Sequence, residues 1–129
     1  MKIHLGTVGH FGLAVSDLQA SERWWRQLFD LEVMFEGTAY VGLTNKDVTI
    51  VLFVGTPHPE TIEHMSFHVS SMKALREALA WMKECNVEVE DPGHEIGPEA
   101  EGSKHMGLWF HDPDGYRWEL SVQNGARES

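Results

Sequence analysis

Residues 64–72 read HMSFHVSSM and residues 10–18 read HFGLAVSDL, so the two stretches match at a constant offset of 54 residues. At this offset a histidine falls on a histidine, and a valine and a serine further along also coincide. A self-match at a fixed period indicates one structural module used twice. We therefore predict a single domain over residues 1–129, with module one at about 6–55 and module two at about 60–123.

The composition indicates a globular protein that folds without disulfides. The chain has 129 residues, 42% of them apolar, which is enough for one sizeable core. Its net charge of -10 argues against nucleic acids and anionic membranes as partners. Cys85 is the single cysteine, and no apolar run is long enough for a signal peptide or a membrane span. These features predict a soluble, cytoplasmic protein.

Module one shows the pattern of one strand, one helix and three further strands. A strand is predicted over residues 8–15, and Ser16 is predicted to cap the following helix with Gln19 at the capping-box position. The helix should end near residue 31, where its apolar stripe stops. Short runs rich in valine, phenylalanine, tyrosine and isoleucine then predict strands over residues 32–35, 39–43 and 48–54.

Module two repeats this pattern and adds a long irregular segment. A strand is predicted over residues 64–69, with Ser70 or Ser71 capping a helix that ends near residue 86. Residues 91–104 hold three glycines, two prolines and four acids, with no strand or helix period, which predicts either an active-site flap or disorder. The fold class is α+β, with the remaining strands predicted over residues 87–89, 106–110 and 116–122.

Strand alternation places three possible metal ligands on the polar faces of the two modules. His10 shares a face with Gly12 and Ala14, while His64 and Glu119 lie on the polar face of module two. A lone strand histidine is usually a hydrogen-bonded side chain. Here, however, both histidines occupy the same repeat position, and an unpaired charge at Glu119 between apolar neighbours would be costly. If the polar faces turn toward each other, these residues form a two-histidine, one-carboxylate set for a divalent ion.

Other polar residues near this set have open roles. His68 is either an acid/base group in the cavity that would hold this ligand set or a residue with no chemical role. Arg117 is predicted to brace the Glu119 carboxylate. Four other histidines are expected to be solvated, namely His4, His58, His94 and His111.

Three motifs together resemble the vicinal-oxygen-chelate superfamily, which includes glyoxalase I, extradiol dioxygenases, fosfomycin-resistance enzymes, methylmalonyl-CoA epimerase and bleomycin-resistance proteins. They are HxxLxVSDL from His10, its repeat from His64, and DPDGYxxEL over residues 112–120. The similarity spans about residues 8–122. It implies two βαβββ modules that form a cupped mixed sheet around a divalent metal, with the family's ligand positions falling on His10, His64 and Glu119.

The chain also departs from several members of that superfamily. Val51 stands where the resemblance to glyoxalase I implies a fourth, carboxylate ligand, and Gly12 stands where fosfomycin thiol transferases have a threonine. The chain has no clear basic cluster for a phosphonate. Typical extradiol dioxygenases have four modules rather than two, although short forms resemble this chain. Bleomycin-resistance proteins bind a cationic drug without metal, which fits the net charge and the five tryptophans but not an intact ligand triad.

We therefore expect a metal-dependent enzyme that acts on a small-molecule substrate with vicinal oxygens, with a ferrous ring-cleaving extradiol dioxygenase as the leading hypothesis. His68, or His105 just after the irregular segment, would transfer a proton. The alternatives are a glyoxalase-like lyase or a fosfomycin-type thiol transferase on the same triad, or a binding protein without catalysis. Iron is the expected metal, with manganese, nickel or zinc also possible. A homodimer is expected, as in many relatives.

Overall fold

A computed structural model describes residues 1–128 and shows an α+β fold, as the sequence predicts. The chain divides into two compact units, unit one from Met1 to Pro57 and unit two from His58 onward. The described residues contain two α-helices, one in each unit, and two sheets of four and five strands. Neither helix is long and apolar enough to cross a membrane.

Unit one is a four-stranded sheet packed against one helix. The strands lie in the order β1-β4-β3-β2, with β1 parallel to β4 and the other pairs antiparallel. Buried side chains such as Leu13, Leu52 and Trp25 form the core. The first strand begins three residues later than predicted, because Val8 is 68% exposed and makes no sheet contact. The elements are β1 (Phe11–Val15), α1 (Leu18–Leu28), β2 (Glu32–Glu36), β3 (Tyr40–Thr44) and β4 (Thr49–Val54).

The cap of α1 is Asp17, so the prediction of Ser16 is wrong by one residue. An Asp17 carboxylate oxygen accepts a hydrogen bond from the Ala20 backbone N–H at 3.0 Å, and the Asp17 backbone is extended, as helix caps require. With Asp17 as the cap, the third helical position is Ala20 rather than Gln19. Alanine has no side chain to return a hydrogen bond, and the predicted capping box is therefore not formed.

Unit two has a five-stranded sheet and the second helix. The main order is β5-β9-β8-β6, with β5 parallel to β9, and a short β7 pairs with β8. Ser71 is the helix cap, since its hydroxyl accepts a hydrogen bond from the Ala74 N–H at 3.1 Å. The elements are β5 (Met65–His68), α2 (Met72–Glu84), β6 (Glu88–Val89), β7 (Ile96–Pro98), β8 (Met106–His111) and β9 (Arg117–Val122), with 3-10 helices at Pro59–Thr61 and Gly125–Arg127.

The sheet registers match the internal repeat. Gly12 pairs with Val51 in the parallel β1–β4 ladder, and Ser66 pairs with Glu119 in the parallel β5–β9 ladder. Val51 and Glu119 therefore hold the same position in the two units, as the sequence alignment proposes. The two repeated histidines immediately precede β1 and β5.

The segment at residues 91–104 contains a strand, which the sequence did not predict. β7 has only three residues, two of them Gly97 and Pro98, and so it shows no alternation of apolar and polar side chains. Glu95 accepts hydrogen bonds from the Gly93 N–H at 3.0 Å and from the Lys83 ammonium on α2 at 3.1 Å. The backbone hydrogen bond and the lysine lower the pKa of Glu95 to about 2. The segment is therefore attached to α2 through a carboxylate.

This attachment gives an expected pH dependence of stability. A carboxylate whose pKa is depressed in the folded state stabilises the fold above its unfolded value of 4.5, and this contribution is lost as the pH falls toward about 2. Glu95→Gln should therefore lower the urea midpoint at pH 7, with the difference from wild type shrinking between pH 5 and pH 3. Glu101→Gln in the same segment is the control. A difference that stays constant across this pH range would contradict the assignment.

Candidate metal centre

Glu119 is the most unusual polar residue of unit two. It lies in the middle of β9, its side chain is buried, with only 1% exposed, and its sequence neighbours Trp118 and Leu120 belong to the core. No hydrogen bond of normal geometry reaches either carboxylate oxygen of Glu119 within residues 1–128, although the nearby Ser66 hydroxyl acts on the carboxyl as a weak hydrogen-bond donor. A buried charge without a partner is costly, and burial raises the pKa of Glu119. The position therefore suits a carboxylate that meets a cation.

The polar groups around Glu119 only partly offset this cost. Ser66, its partner on β5, shares a 3.1 Å hydrogen bond with the Ser121 hydroxyl. The Ser66 hydroxyl lowers the pKa of Glu119, as do the nearby His64 and Arg117. The negative charge of Glu99 raises this pKa further. One oxygen of Glu99 is also buried without a hydrogen-bond partner within the described chain. This side of the sheet therefore carries excess negative charge.

Gly107 on β8 provides the space for the Glu119 carboxylate. A β-carbon added at Gly107 would lie 2.4 Å from a Glu119 carboxylate oxygen and 2.7 Å from the Trp109 ring. Both distances are shorter than any normal contact, so a larger residue would displace one or both side chains. The absence of a side chain at this position is therefore part of how the carboxylate is held.

Gly107→Ala should leave the fold intact and weaken divalent metal binding about tenfold or more, because displaced ligand carboxylates bind metals less well. Manganese affinity can be measured by titration followed with electron paramagnetic resonance. Gly97→Ala is a matched control: Gly97 pairs with Gly107 across β7 and β8, and an added β-carbon there meets nothing within 4 Å. Equal affinities of the two variants would contradict this role for Gly107.

Glu119 lies on β9, and His64 lies directly before β5, the strand that pairs with β9. The His64 side chain is 38% exposed, and its Nδ1 contacts a carboxylate oxygen of Glu63. In a neutral ring with hydrogen on Nδ1, the lone pair is on Nε2 and can bind a metal.

His10 is exposed and lies directly before β1 in unit one, at the position that the repeat relates to His64. Across residues 1–128, no group of three histidine, cysteine, aspartate or glutamate side chains is arranged to hold a metal. The structure thus places His64 at the start of the strand next to the one that carries Glu119, and the complete set of three remains a prediction.

The two proposed proton-transfer histidines each have a hydrogen-bond partner. His105 Nδ1 accepts from the backbone N–H of Asn124 at 2.9 Å, so in the neutral ring the hydrogen is on Nε2. His68 is exposed at the end of β5, with its Nε2 3.2 Å from the side-chain nitrogen of Gln123. Both rings are therefore oriented by unit two.

Arg117 does not brace Glu119, contrary to the prediction. Its guanidinium donates to both oxygens of Glu90, at 2.7 and 2.9 Å, and to Glu63 at 2.7 Å. His111, which was expected to be solvated, also contacts Glu90 at 2.7 Å. The sequence analysis missed Glu63 and Glu90 because their arginine partner is 54 and 27 residues away in the sequence, and no sequence signal relates them to it.

The side of the unit-one sheet that carries Gly12 is apolar and aromatic. Phe35, Tyr40 and Phe53 lie on it and are each between 42% and 44% exposed. The Phe35 ring lies directly over Gly42, where an added β-carbon would be 2.5 Å from it. None of the β1–β4 residues is a lysine or an arginine. This surface suits a planar, apolar group better than a phosphonate.

Each unit contains one helix and a sheet with one parallel strand pair, β1–β4 in unit one and β5–β9 in unit two. This repeated arrangement agrees with a match to a known family. A sequence model of the glyoxalase/bleomycin resistance protein/dioxygenase superfamily matches residues 7–120. The chain belongs to this superfamily, as the motif resemblance predicts. No curated protein matches the chain in sequence.

Several solved structures share the fold. A putative glyoxalase from Bacillus halodurans has a TM-score of 0.77 at 19% identity, covering 91% of this chain and 96% of that one. The fosfomycin resistance protein FosX from Listeria monocytogenes has a TM-score of 0.76 at 20% identity, covering 92% and 94%. Lactoylglutathione lyase from Agrobacterium tumefaciens has a TM-score of 0.73 at 17% identity, covering 93% and 96%. At these identities the similarity shows the shared fold alone.

Proposed function

We propose that the protein is a metal-dependent enzyme that binds one divalent ion through His10, His64 and Glu119 and acts on a small substrate with vicinal oxygens. The buried Glu119 carboxylate, which accepts no hydrogen bond of normal geometry within residues 1–128, is the observation that carries this proposal. Two neutral imidazoles and one carboxylate are a set that binds iron and other first-row ions. We expect the enzyme to act in the cytoplasm as a homodimer.

The ion would supply Lewis acidity and a template for two adjacent substrate oxygens. Glu119 contributes the negative charge of the site, and His64 contributes the Nε2 lone pair that its contact with Glu63 leaves free. His68 or His105 would move a proton at the edge of the site. His105 holds its hydrogen on Nε2 and so presents a donor in the neutral state, because the Asn124 N–H occupies Nδ1.

Ring cleavage of a catechol by a ferrous centre is the reaction we favour. The aromatic side of unit one, with Phe35, Tyr40 and Phe53, supports an aromatic substrate. Val51 holds the position in unit one that Glu119 holds in unit two, and its side chain is apolar. This argues against the fourth, carboxylate ligand that the resemblance to glyoxalase I implies. A thiol transferase would additionally need a basic site for its anionic substrate, and strands β1–β4 contain no lysine or arginine.

The reaction can be tested with protein reconstituted anaerobically with ferrous iron. We expect oxygen uptake and a coloured ring-opened product with a panel of catechols, and loss of both in His64→Ala but not in His58→Ala. His58 is an exposed histidine of the same unit that contacts Glu60, and serves as the control. Metal binding without oxygen uptake, but with consumption of glutathione or another thiol, would instead support lyase or transferase chemistry.

A binding protein without catalysis is the second candidate. The half-exposed aromatic side chains of unit one and the net charge of -10 would suit a hydrophobic or cationic compound. Such a protein should bind its ligand with the same affinity in the presence and absence of a chelator. Ligand binding that is abolished by a chelator would exclude this candidate.

A further inference from the structure

A chain of charged contacts leads from Glu90, which directly follows β6, to His64. Arg117 is held by Glu90 through two hydrogen bonds, from Nε at 2.7 Å and from Nη2 at 2.9 Å. Its remaining Nη1 donates to one oxygen of Glu63 at 2.7 Å. The other oxygen of Glu63 contacts His64 Nδ1. These four residues therefore form a continuous set that ends on the imidazole.

The arrangement of Arg117 explains how an exposed carboxylate can be held in place. The Glu63 side chain is 72% exposed, whereas those of Arg117 and Glu90 are 30% and 28% exposed. The guanidinium is planar and rigid, so fixing two of its nitrogens on Glu90 also fixes the direction of the third. Arg117 is further packed against the Trp109 ring, at 5.7 Å from the ring centre. Glu63 thus has a fixed anchor for one oxygen and presents the other to His64.

This contact has a chemical consequence for the imidazole. A neutral histidine carries hydrogen on only one ring nitrogen, and a carboxylate at Nδ1 favours hydrogen there. Metal-binding histidines commonly use such a carboxylate partner to fix the ring and to leave the other nitrogen as the ligand.

We propose that Glu63, anchored by Arg117, is a positioning residue that selects the Nδ1–H tautomer of His64 and so directs Nε2 to the metal. This inference rests on the proposed function in that it takes His64 as a ligand. It adds two residues, Glu63 and Arg117, that none of the family motifs above contains in this role.

Unit two offers a matched comparison. His58 Nδ1 lies 3.1 Å from an oxygen of Glu60, so this pair has the same chemistry as the Glu63 pair. Its side chains are 62% and 68% exposed, and no arginine or lysine anchors Glu60 within the described residues. Glu60→Ala is therefore the control for removing a glutamate next to a histidine on this surface.

The test uses the full chain labelled with nitrogen-15 at histidine, without metal, at about pH 8.5, where imidazoles are neutral. Long-range proton–nitrogen correlation spectra distinguish the two tautomers. We expect His64 to be the Nδ1–H form in the wild type and to shift toward the Nε2–H form in Glu63→Ala. Glu63→Gln, which keeps an acceptor oxygen, should restore the wild-type form in part, and Arg117→Met should resemble Glu63→Ala.

A second measurement is the affinity for manganese. Glu63→Ala should bind manganese about tenfold or more weakly, as for other residues that orient a metal ligand, and Glu60→Ala should match the wild type. An unchanged His64 tautomer in Glu63→Ala, or an equal loss of affinity in Glu60→Ala, would overturn the positioning role. Because the tautomer is measured without metal, this result is separate from the proposed function, which would fail if the wild type bound no metal.

Discussion

Glu119→Gln is expected to abolish divalent metal binding while making the metal-free protein more stable. The substitution removes the only charged ligand of the proposed set, so we expect affinity to fall roughly a hundredfold or more, beyond the effect of residues that merely orient ligands. The metal-free fold should become more stable at pH 7, because burial penalises the charged form of Glu119 and the amide carries no charge. Manganese titration and urea unfolding without metal measure the two effects.

The stability gain of Glu119→Gln should depend on pH. Since burial raises the folded pKa of Glu119 above its ordinary value of 4.5, the penalty is absent below pH 4.5 and grows as the pH rises through that value. The stability gain of Glu119→Gln should therefore be present at pH 7 and disappear near pH 4. Glu88→Gln, an exposed substitution in the same sheet, is the control. A variant that is less stable than wild type at pH 7 would show that the carboxylate has partners in the fold.

Asp112→Ala is expected to cause the largest loss of stability. Asp112 is buried and its carboxylate accepts three hydrogen bonds within the hairpin between β8 and β9. Removing a partner from a buried donor costs about 1–3 kcal/mol, so we expect the free energy of unfolding to fall by about 3 kcal/mol or more. The donors are the backbone N–H groups of Asp114 at 2.9 Å and Tyr116 at 3.0 Å, and the indole N–H of Trp118 at 3.1 Å.

Asp112→Asn is the matched control for this prediction. Asparagine keeps one acceptor oxygen for the two backbone donors and loses the acceptor for Trp118. It also removes the buried charge of Asp112, whose pKa is raised by burial. Losing this unfavourable charge compensates part of the stability lost with the hydrogen bond. Urea unfolding should therefore place this variant between the wild type and Asp112→Ala. If the alanine variant is as stable as the asparagine variant, these hydrogen bonds do not hold the hairpin.

The fold could be predicted because its information is local and occurs twice. The repeat of residues 10–18 at 64–72 predicts equivalent strands, and the observed Gly12–Val51 and Ser66–Glu119 pairs follow that repeat. The errors lie in residues 91–104, where the three-residue β7 shows no alternation that predicts a strand, and at element ends, where two adjacent residues can cap equally well. Ser16 and Asp17 are both good caps, and only the backbone conformation decides between them.

The buried position of Glu119 could be predicted from the sequence, whereas the contacts of the polar residues around it could not. Glu119 could be selected because a charge interrupts an apolar strand, and its burial agrees with that selection. The true partners of Arg117 were missed because they depend on which side chains meet across strands, information that sequence spacing does not contain. The role of Gly107 was missed for the same reason, since a glycine within a strand does not reveal which side chain it accommodates.

The central claim is that the chain holds one divalent ion through His10, His64 and Glu119. Elemental mass spectrometry on protein purified without chelator or affinity tag, compared with His64→Ala and the control His58→Ala, tests it most directly. We expect about one ion per chain in the wild type and the control and almost none in His64→Ala, with iron supporting oxygen chemistry and manganese, nickel or zinc supporting transferase or lyase chemistry. A wild type that contains no metal, and takes up none when each ion is added back, would contradict the account.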